Sequence, residues 1–483
     1  MRYVMQEKEH QYYNDFSFFG DRPVFIDDCG QVMTYRELDE TAAEITEKVP
    51  HRALVFSFCE NSIGAAAGYA AFLNHRVVPV MIDRHMEKDL RENLMSVYQP
   101  DYLYLPEELY QEYKDLECVW SGYHYYLCRT KSQAAHELYP ELALLLTTSG
   151  STGSPKLVRQ SYRNIQSNAE AIAEYLEIDE TERPITTLPM NYTYGLSIIN
   201  SHLLQGAAIL LTNHTLMERE FWRFFKEAEA TSFGGVPYTY EMLKKLRFFN
   251  MDLPSLRYMT QAGGKLSPEL HREFAAYAAE KHKKFIVMYG QCEATARMAY
   301  LPAEMSLEKY GSMGIAIPGG RLELVDLNGQ AFLAPDVVGE LVYYGENVTL
   351  GYAEAAEDLK KGDERHQRLE TGDMAKRDDD GYFYIVGRKK RFLKIFGNRV
   401  NLDETERMIK TFLESSDCAC GGVDDLLYVF LTKENYDRQE SVKKFLTEKT
   451  GLNPKAFAFK CIDQIPKNEA GKILYRELEA FYD

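Results

Sequence analysis

Leu142-Ala-Leu-Leu-Leu146 runs directly into Thr147-Thr-Ser-Gly-Ser-Thr-Gly-Ser-Pro-Lys156. Consecutive apolar residues bounded by a turn-rich segment read as a strand buried on both faces. The segment that follows combines glycines, hydroxyls and a terminal lysine. Glycines let backbone N–H groups approach an anion closely. Hydroxyls add donors, and the lysine adds a point charge. This chemistry suits a polyphosphate. The spacing is GxxGxxK, whereas the Walker loop needs GxxxxGK followed by Ser or Thr. Taken alone, the same composition also fits a flexible Ser/Gly linker.

Working outward, strand and helix signals alternate. A turn at Asp28-Cys-Gly30 separates Pro23–Ile26 from Val32–Thr34, as in a hairpin. Arg36–Lys48 and Ser62–Asn74 have helical character, and Ala53–Phe58 and Val77–Ile82 read as buried strands. Further strand candidates are Pro184–Leu188, Ala207–Leu211, Ser232–Gly235, Leu256–Thr260 and Phe285–Met288. Alternation of this kind predicts an α/β fold, mainly parallel sheets with helices on both faces. From about 311 to 387 the texture changes to short alternating strands between Gly and Asp turns (Arg321–Val325, Gly339–Tyr343, Tyr382–Val386), a small β-rich subdomain.

The chain has 483 residues, enough for two to four structural units. It is 45% hydrophobic and 27% charged, which excludes disorder, collagen and coiled coil as global descriptions. No apolar run approaches a membrane span, and the N-terminus lacks a signal-peptide core, so a cytoplasmic protein is expected. The eight cysteines form no CxxC pair and read as reduced thiols. A net charge of −17 argues against nucleic acid as partner. The charge is uneven: Arg388–Asp483 carries 18 basic and 16 acidic residues, and the preceding 387 carry 38 and 57. The tail therefore reads as a separate unit. It opens on the densest basic cluster of the chain, Arg388-Lys-Lys-Arg-Phe-Leu-Lys394.

Other segments carry chemistry. Tyr289-Gly-Gln-Cys-Glu293 follows the strand Phe285–Met288, at the strand end where open α/β sheets bind ligands. A tyrosine there can stack on a base, and a carboxylate can hold Mg²⁺ beside phosphates. Thr371-Gly-Asp373, followed by Gly387-Arg388, places an Asp in a tight turn where it can hold ribose hydroxyls. Pro466-Lys-Asn-Glu-Ala-Gly-Lys-Ile473 is a flexible segment whose lysine could reach a site elsewhere.

This order of motifs resembles the adenylate-forming superfamily: acyl- and aryl-CoA synthetases, luciferases and peptide-synthetase adenylation domains. Met33-Thr-Tyr-Arg-Glu-Leu38, Gln261-Ala-Gly-Gly264, and Gly339-Glu-Leu341 through Gly351-Tyr352 resemble lesser motifs of that family. The likeness spans about residues 20 to 475.

The resemblance implies a large N-terminal domain of doubly wound sheets plus the β-rich subdomain (1–387), and a small mobile α+β C-terminal domain (388–483). It implies an AMP-forming ligase that joins a carboxylic acid to the α-phosphate of ATP with loss of pyrophosphate. A thiol, from CoA or a carrier protein's phosphopantetheine, then displaces AMP. Carried over by motif, Ser149, Gly150, Ser151, Thr152, Gly153 and Lys156 cradle phosphates, with Thr148 at the lip. Glu293 holds Mg²⁺. Tyr289, with Gly290, Gln291 and Cys292, and the strand end at Gly263 and Gly264 lie along adenine. Asp373 binds the ribose, with Arg388 nearby, and Lys472 bridges the carboxylate and the α-phosphate. The hinge falls at Lys390, and the face used in the thiol step bears Lys394, Gly397 and Asn398.

Departures from the family pattern matter. Cys292 stands where Thr is usual, and its thiol is a weaker donor. Leu157 replaces a Gly after the loop lysine. Arg391 replaces an acidic residue after the hinge, which adds charge near the thiol's approach. Leu188-Pro-Met-Asn-Tyr-Thr-Tyr-Gly-Leu196 places Tyr192, Thr193, Tyr194 and Gly195 at the acid pocket. Thr193 falls where peptide-synthetase domains carry an Asp that pairs with an α-ammonium. A neutral Thr cannot offset a buried ammonium, so an acid without an α-amino group is expected. The competing readings are a stand-alone amino-acid activator, a luciferase-like oxygenase and an inactive nucleotide-binding homologue.

Overall fold

The computed structural model describes residues 11–132, 136–147, 156–326, 328–396, 398–415, 417–467 and 473–482. The chain divides into two compact units: Met1–Leu322 with Tyr343–Leu369, and Glu323–Val342 with Glu370–Asp483. The fold class is the expected α/β.

The first unit is built on an eight-stranded sheet. Its order is Gly351–Ala353, Leu157–Ser161, Leu142–Thr147, Val78–Asp83, Leu54–Cys59, Tyr102–Pro106, Tyr125–Arg129 and Glu117–Gly122. The strand Leu142–Thr147 runs parallel to Val78–Asp83, and its apolar run is fully buried, as its composition requires. It pairs antiparallel with Leu157–Ser161, Thr147 opposite Leu157. The two strands on either side of the GxxGxxK segment are therefore the paired arms of a hairpin. Leu157 is fully buried in the second arm of that hairpin.

Helices are placed by local signals. Thr34 and Glu37 form a capping box for Tyr35–Thr46, and Ser62 caps Ile63–Asn74. A second sheet carries the parallel strands Ser232–Gly235, Tyr258–Gln261 and Lys284–Tyr289, then the short antiparallel strands Ala299–Tyr300 and Ile315–Ala316. A three-stranded sheet joins Ile209–Leu211, Pro23–Asp27 and Val32–Thr34. Pro184–Leu188 is not a strand. It makes isolated bridges from Pro184 to Ser232 and from Ile185 to Leu210, because the chain crosses between two sheets there. Among the described residues, no helix is long and apolar enough to cross a membrane.

A five-stranded sheet ordered Ala331–Phe332, Arg321–Val325, Gly339–Tyr344, Arg368–Arg377 and Phe383–Arg388 falls mostly within the second unit. The second unit also holds the hairpin Phe392–Ile395/Asn398–Asn401 and a three-stranded sheet, Cys418–Val423, Leu426–Thr432 and Phe457–Ile462. The helices Leu402–Leu413 and Gln439–Thr450 pack on an apolar cluster that includes Ile395, Ile409, Val429 and Leu446.

Candidate active site

In the first unit, three parallel strands end side by side at Gly235, Gln261 and Tyr289. The loops that follow carry Gly263, Gly264 and Gly290–Glu293. Gly263 has φ +81°, and a Cβ there would lie 2.7 Å from the Tyr192 hydroxyl. The proposed adenine strand end and the proposed acid segment thus touch at one glycine. Gly264 lies against Pro237. At Gly290 a Cβ would meet the Ala296 carbonyl oxygen at 1.5 Å, so no other residue fits.

Glu293 lies in a short 3₁₀ turn, Cys292–Ala294. The Thr349 N–H and hydroxyl both donate to its carbonyl, at 3.0 and 3.1 Å. Its carboxylate accepts a hydrogen bond from the Tyr352 hydroxyl at 2.6 Å. The ammonium of Lys156 sits 3.7 Å from the centre of the Tyr352 ring and 3.7 Å from Glu354 Oε1. The guanidinium of Arg365 lies 4.7 Å from the same ring centre. Burial, with the Glu293 charge next in size, pushes the Tyr352 hydroxyl up to about 12. The phenol therefore stays protonated and holds the carboxylate as a donor. Tyr352 belongs to the Gly-Tyr element quoted above, yet motif spacing alone assigned it no role. Its strand, Gly351–Ala353, pairs with Leu157–Ser161, which brings it beside Lys156.

The acid segment forms the start of a helix, Thr193–Leu204, with Tyr192 at its N-cap. Tyr192 is half-buried, and its hydroxyl is pushed up to about 12 by burial, with the Cys292 thiol adding to the shift. Tyr194 is buried and shares a 2.8 Å hydrogen bond with the Thr260 hydroxyl. Thr193 is buried on a small cavity that Asn168, Ser197, Asn200 and Thr295 also line. At Gly195 a Cβ would meet the Pro189 carbonyl oxygen at 2.3 Å.

In the second unit, Asp373 is buried and its carboxylate is 2.9 Å from Arg388 Nε, the two residues facing each other across antiparallel strands. Lys390 falls within the 3₁₀ turn Lys389–Arg391. Arg391 is inside a charge cluster. Its guanidinium contacts Asp403 at 2.5 Å and Glu406 at 3.2 Å, and lies 3.6 Å from the Tyr475 ring centre. The charge that Arg391 was expected to add near the thiol's approach is met by these two carboxylates. Lys394 is exposed, and its N–H donates to Asp424. Thr148, Ser149, Gly150, Ser151, Thr152, Gly153, Gly397 and Lys472 lie outside the described residues, as do the side chains of Lys390 and Asn398.

Glycine-lined strand ends beside a carboxylate and a lysine define a class of nucleotide-handling α/β enzymes. The particular family follows from comparison. The model of the AMP-binding enzyme family matches residues 15–353. The chain belongs to this family, and so to the adenylate-forming superfamily. It is 28% identical over 346 residues to a 2-succinylbenzoate–CoA ligase of Bacillus licheniformis, covering 70% of each. It is 27% identical over 350 residues to 4-coumarate–CoA ligase-like 4 of Oryza sativa, covering 70% of this chain and 62% of that relative. In fold it is similar to o-succinylbenzoate CoA synthetase from Bacillus subtilis. With the acyl-adenylate bound, the TM-score is 0.79 at 20% identity, covering 97% of this chain and 98% of that one. With ATP and magnesium bound, the TM-score is 0.78 at 19% identity, covering 97% and 99%.

Proposed function

We propose that the protein is an AMP-forming carboxylic acid–CoA ligase. It activates an acid with ATP to acyl-adenylate and pyrophosphate, and then transfers the acyl group to the CoA thiol. The observation that carries this reading is the Lys156–Tyr352–Glu293 cluster in a chain of this family.

The donor set fits Mg²⁺. Among the described residues, no three His, Cys, Asp or Glu side chains gather as a metal cage. A single carboxylate, Glu293, is what a cation held chiefly by phosphate oxygens and water needs. Bound there, the ion would neutralise charge on the polyphosphate. The chain's own residues do the rest. Lys156 supplies a second positive charge beside Glu293, and Tyr352 keeps both in place. The segment 148–155 contributes backbone and hydroxyl donors to the phosphates. Gly263, Gly264 and Tyr289 form the adenine face. Asp373, oriented by Arg388, takes the ribose hydroxyls. Lys472 spans the acid and the α-phosphate as charge builds at phosphorus. The functional boundary is placed at Gly387/Arg388, with Lys390 as hinge and Lys394, Gly397 and Asn398 serving the thiol step.

The acid lacks an α-amino group. Among the described residues, no Asp or Glu lines the cavity at Thr193, so a buried ammonium would have no counter-charge there. The deciding experiment is acid-dependent ATP–pyrophosphate exchange over amino, fatty, aryl and small hydroxy acids, followed by thioester formation with CoA and with a phosphopantetheine-loaded carrier. Exchange with non-amino acids and transfer to CoA is the expected result. Exchange confined to amino acids, or none with any acid, would overturn the reading. Transfer to the carrier alone would replace CoA as acceptor.

A further inference from the structure

We propose that Cys118 and Cys128 are a cross-strand dithiol that closes to a disulfide when the protein meets a small-molecule disulfide, and that the bond clamps the edge of the eight-stranded sheet. The pair lies in the same unit as the Lys156–Tyr352–Glu293 cluster and contributes no residue to it.

Glu117–Gly122 is the outermost strand of that sheet and pairs antiparallel with Tyr125–Arg129. Cys118 stands opposite Cys128, and Glu117 opposite Arg129. Residues directly opposite on antiparallel strands share a face, with Cα atoms about 4.5 or 5.5 Å apart. Both spacings lie in the range of about 4.4–6.8 Å that a disulfide spans. The side chains agree with the register. On one face Arg129 Nη1 donates to Glu117 Oε2 at 2.9 Å. On the other, Cys118 acts on the Cys128 thiol as a neighbouring charge and as a side-chain hydrogen-bonding partner. Both cysteines are free, and the Cys118 S–H is donated to the Trp120 carbonyl at 3.2 Å. The strand pairing is irregular between Cys118 and Trp120, which opens the edge at the thiol.

The two thiols have different surroundings and so different roles. Cys118 is exposed, whereas Cys128 is buried in an apolar cluster with Leu103, Leu105 and Leu109. Burial, with Cys118 next in size, pushes the Cys128 thiol up to about 12. Cys118 is therefore the attacking group and Cys128 the resolving one. The Cys118 thiolate attacks one sulfur of the small disulfide, expels a thiolate and leaves a mixed disulfide on Cys118. Cys128 then gives its proton to water and attacks the Cys118 sulfur, which expels the second thiolate. Two protein thiols and one small disulfide become one protein disulfide and two small thiols, which take up the two cysteine protons. The other exposed cysteines have no second sulfur opposite them. Cys461 faces Leu431 across its strand pair, and Cys29 sits in a turn beside Asp28.

The test is incubation of the full chain with oxidised glutathione, quenching with N-ethylmaleimide in urea, and mass spectrometry of the unreduced tryptic digest. Both cysteines fall in one tryptic peptide, Asp115–Arg129. From wild-type protein that peptide should be unalkylated and lighter by two hydrogens. From Cys128→Ala it should carry glutathione on Cys118, and from Cys118→Ser it should carry an alkylated Cys128. In glutathione buffers the folded protein should hold the disulfide against at least about tenfold more reduced glutathione than the chain in urea, because the sheet presents the two sulfurs to each other. Oxidation should also raise the melting temperature of the wild type and not that of Cys118→Ser. A wild-type peptide with glutathione on Cys118 and an alkylated Cys128, or with both cysteines alkylated while Cys29 is modified, overturns the inference. So does a disulfide held as well or better in urea, since the short chain between the cysteines would then account for it. An oxidised wild type that melts no higher overturns the clamp. Should Cys128→Ala not fold, the wild type and Cys118→Ser decide.

Discussion

The Tyr352 hydroxyl donates to the Glu293 carboxylate at 2.6 Å, although 59 residues separate them in the chain. The ring below that hydroxyl carries the Lys156 ammonium. One phenol thus fixes the carboxylate assigned to Mg²⁺ and the lysine assigned to phosphate. Tyr352→Phe keeps the ring and removes the donor. Exchange activity should fall about tenfold and need more Mg²⁺, as for other residues that orient a metal ligand. Glu293→Gln should cost about a hundredfold or more. A Tyr352→Phe protein with unchanged Mg²⁺ dependence would refute the assigned role.

Gly263 has φ +81° and no room for a Cβ beneath the Tyr192 hydroxyl. Gly263→Ala should raise KM for ATP and for the acid together, since tyrosine and glycine serve both faces. Removing the clashing oxygen with Tyr192→Phe in the same chain should recover part of the loss, leaving the backbone strain of about 1 kcal/mol. Steady-state kinetics of the single and double variants measure this. Absence of any recovery would separate the two faces.

Arg391→Met should destabilise the second unit by about 3 kcal/mol, because Asp403 and Glu406 lose their buried cation. Glu406 would keep Lys410, at 2.6 Å, and the Tyr475 hydroxyl, at 3.1 Å. Urea unfolding followed by hydrogen exchange over residues 391–482 reads the effect. An unchanged midpoint would show the cluster to be energetically idle.

His202 gives a pH dependence. Its Nδ1–H donates to the Ile198 carbonyl at 2.8 Å, and Nε2 accepts from the Tyr258 hydroxyl at 3.3 Å, so the buried ring is neutral. Burial, with Arg297 adding to it, lowers its pKa from the usual 6.5 to about 3. Between these values the unfolded chain binds a proton that the folded one does not. Stability from this group is therefore complete above pH 6.5 and falls below it by about 1.4 kcal/mol per pH unit. His202→Gln should flatten the slope by one proton between pH 6 and 4 in denaturant titrations. An unaltered slope would mean that the ring is protonated in the folded state.

Lys472→Ala should cut adenylate formation by at least about a hundredfold, the scale of losing one oxyanion donor. Thioester formation from supplied acyl-adenylate should survive. Equal loss in both half-reactions would remove the lysine from its assigned step.

Much of the fold was legible in local sequence. The run Leu142–Leu146, the helical stretches Arg36–Lys48 and Ser62–Asn74, and the strand signals at Ser232–Gly235 and Arg321–Val325 depend on neighbours a few positions away, and the structure has strands and helices there. The motif order placed the family for the same reason. Periodicity and glycine positions are short-range properties. Pairing across a sheet is not. That the strands flanking the GxxGxxK segment pair antiparallel, that Gly351–Ala353 closes the sheet edge and delivers Tyr352 to Lys156 and Glu293, and that Arg391 meets two carboxylates were decided by tertiary structure. Whether a buried charge is paired depends on which distant side chains the crossovers bring within about 4 Å, where Coulomb and desolvation terms are largest. Residue order alone carries no such distance.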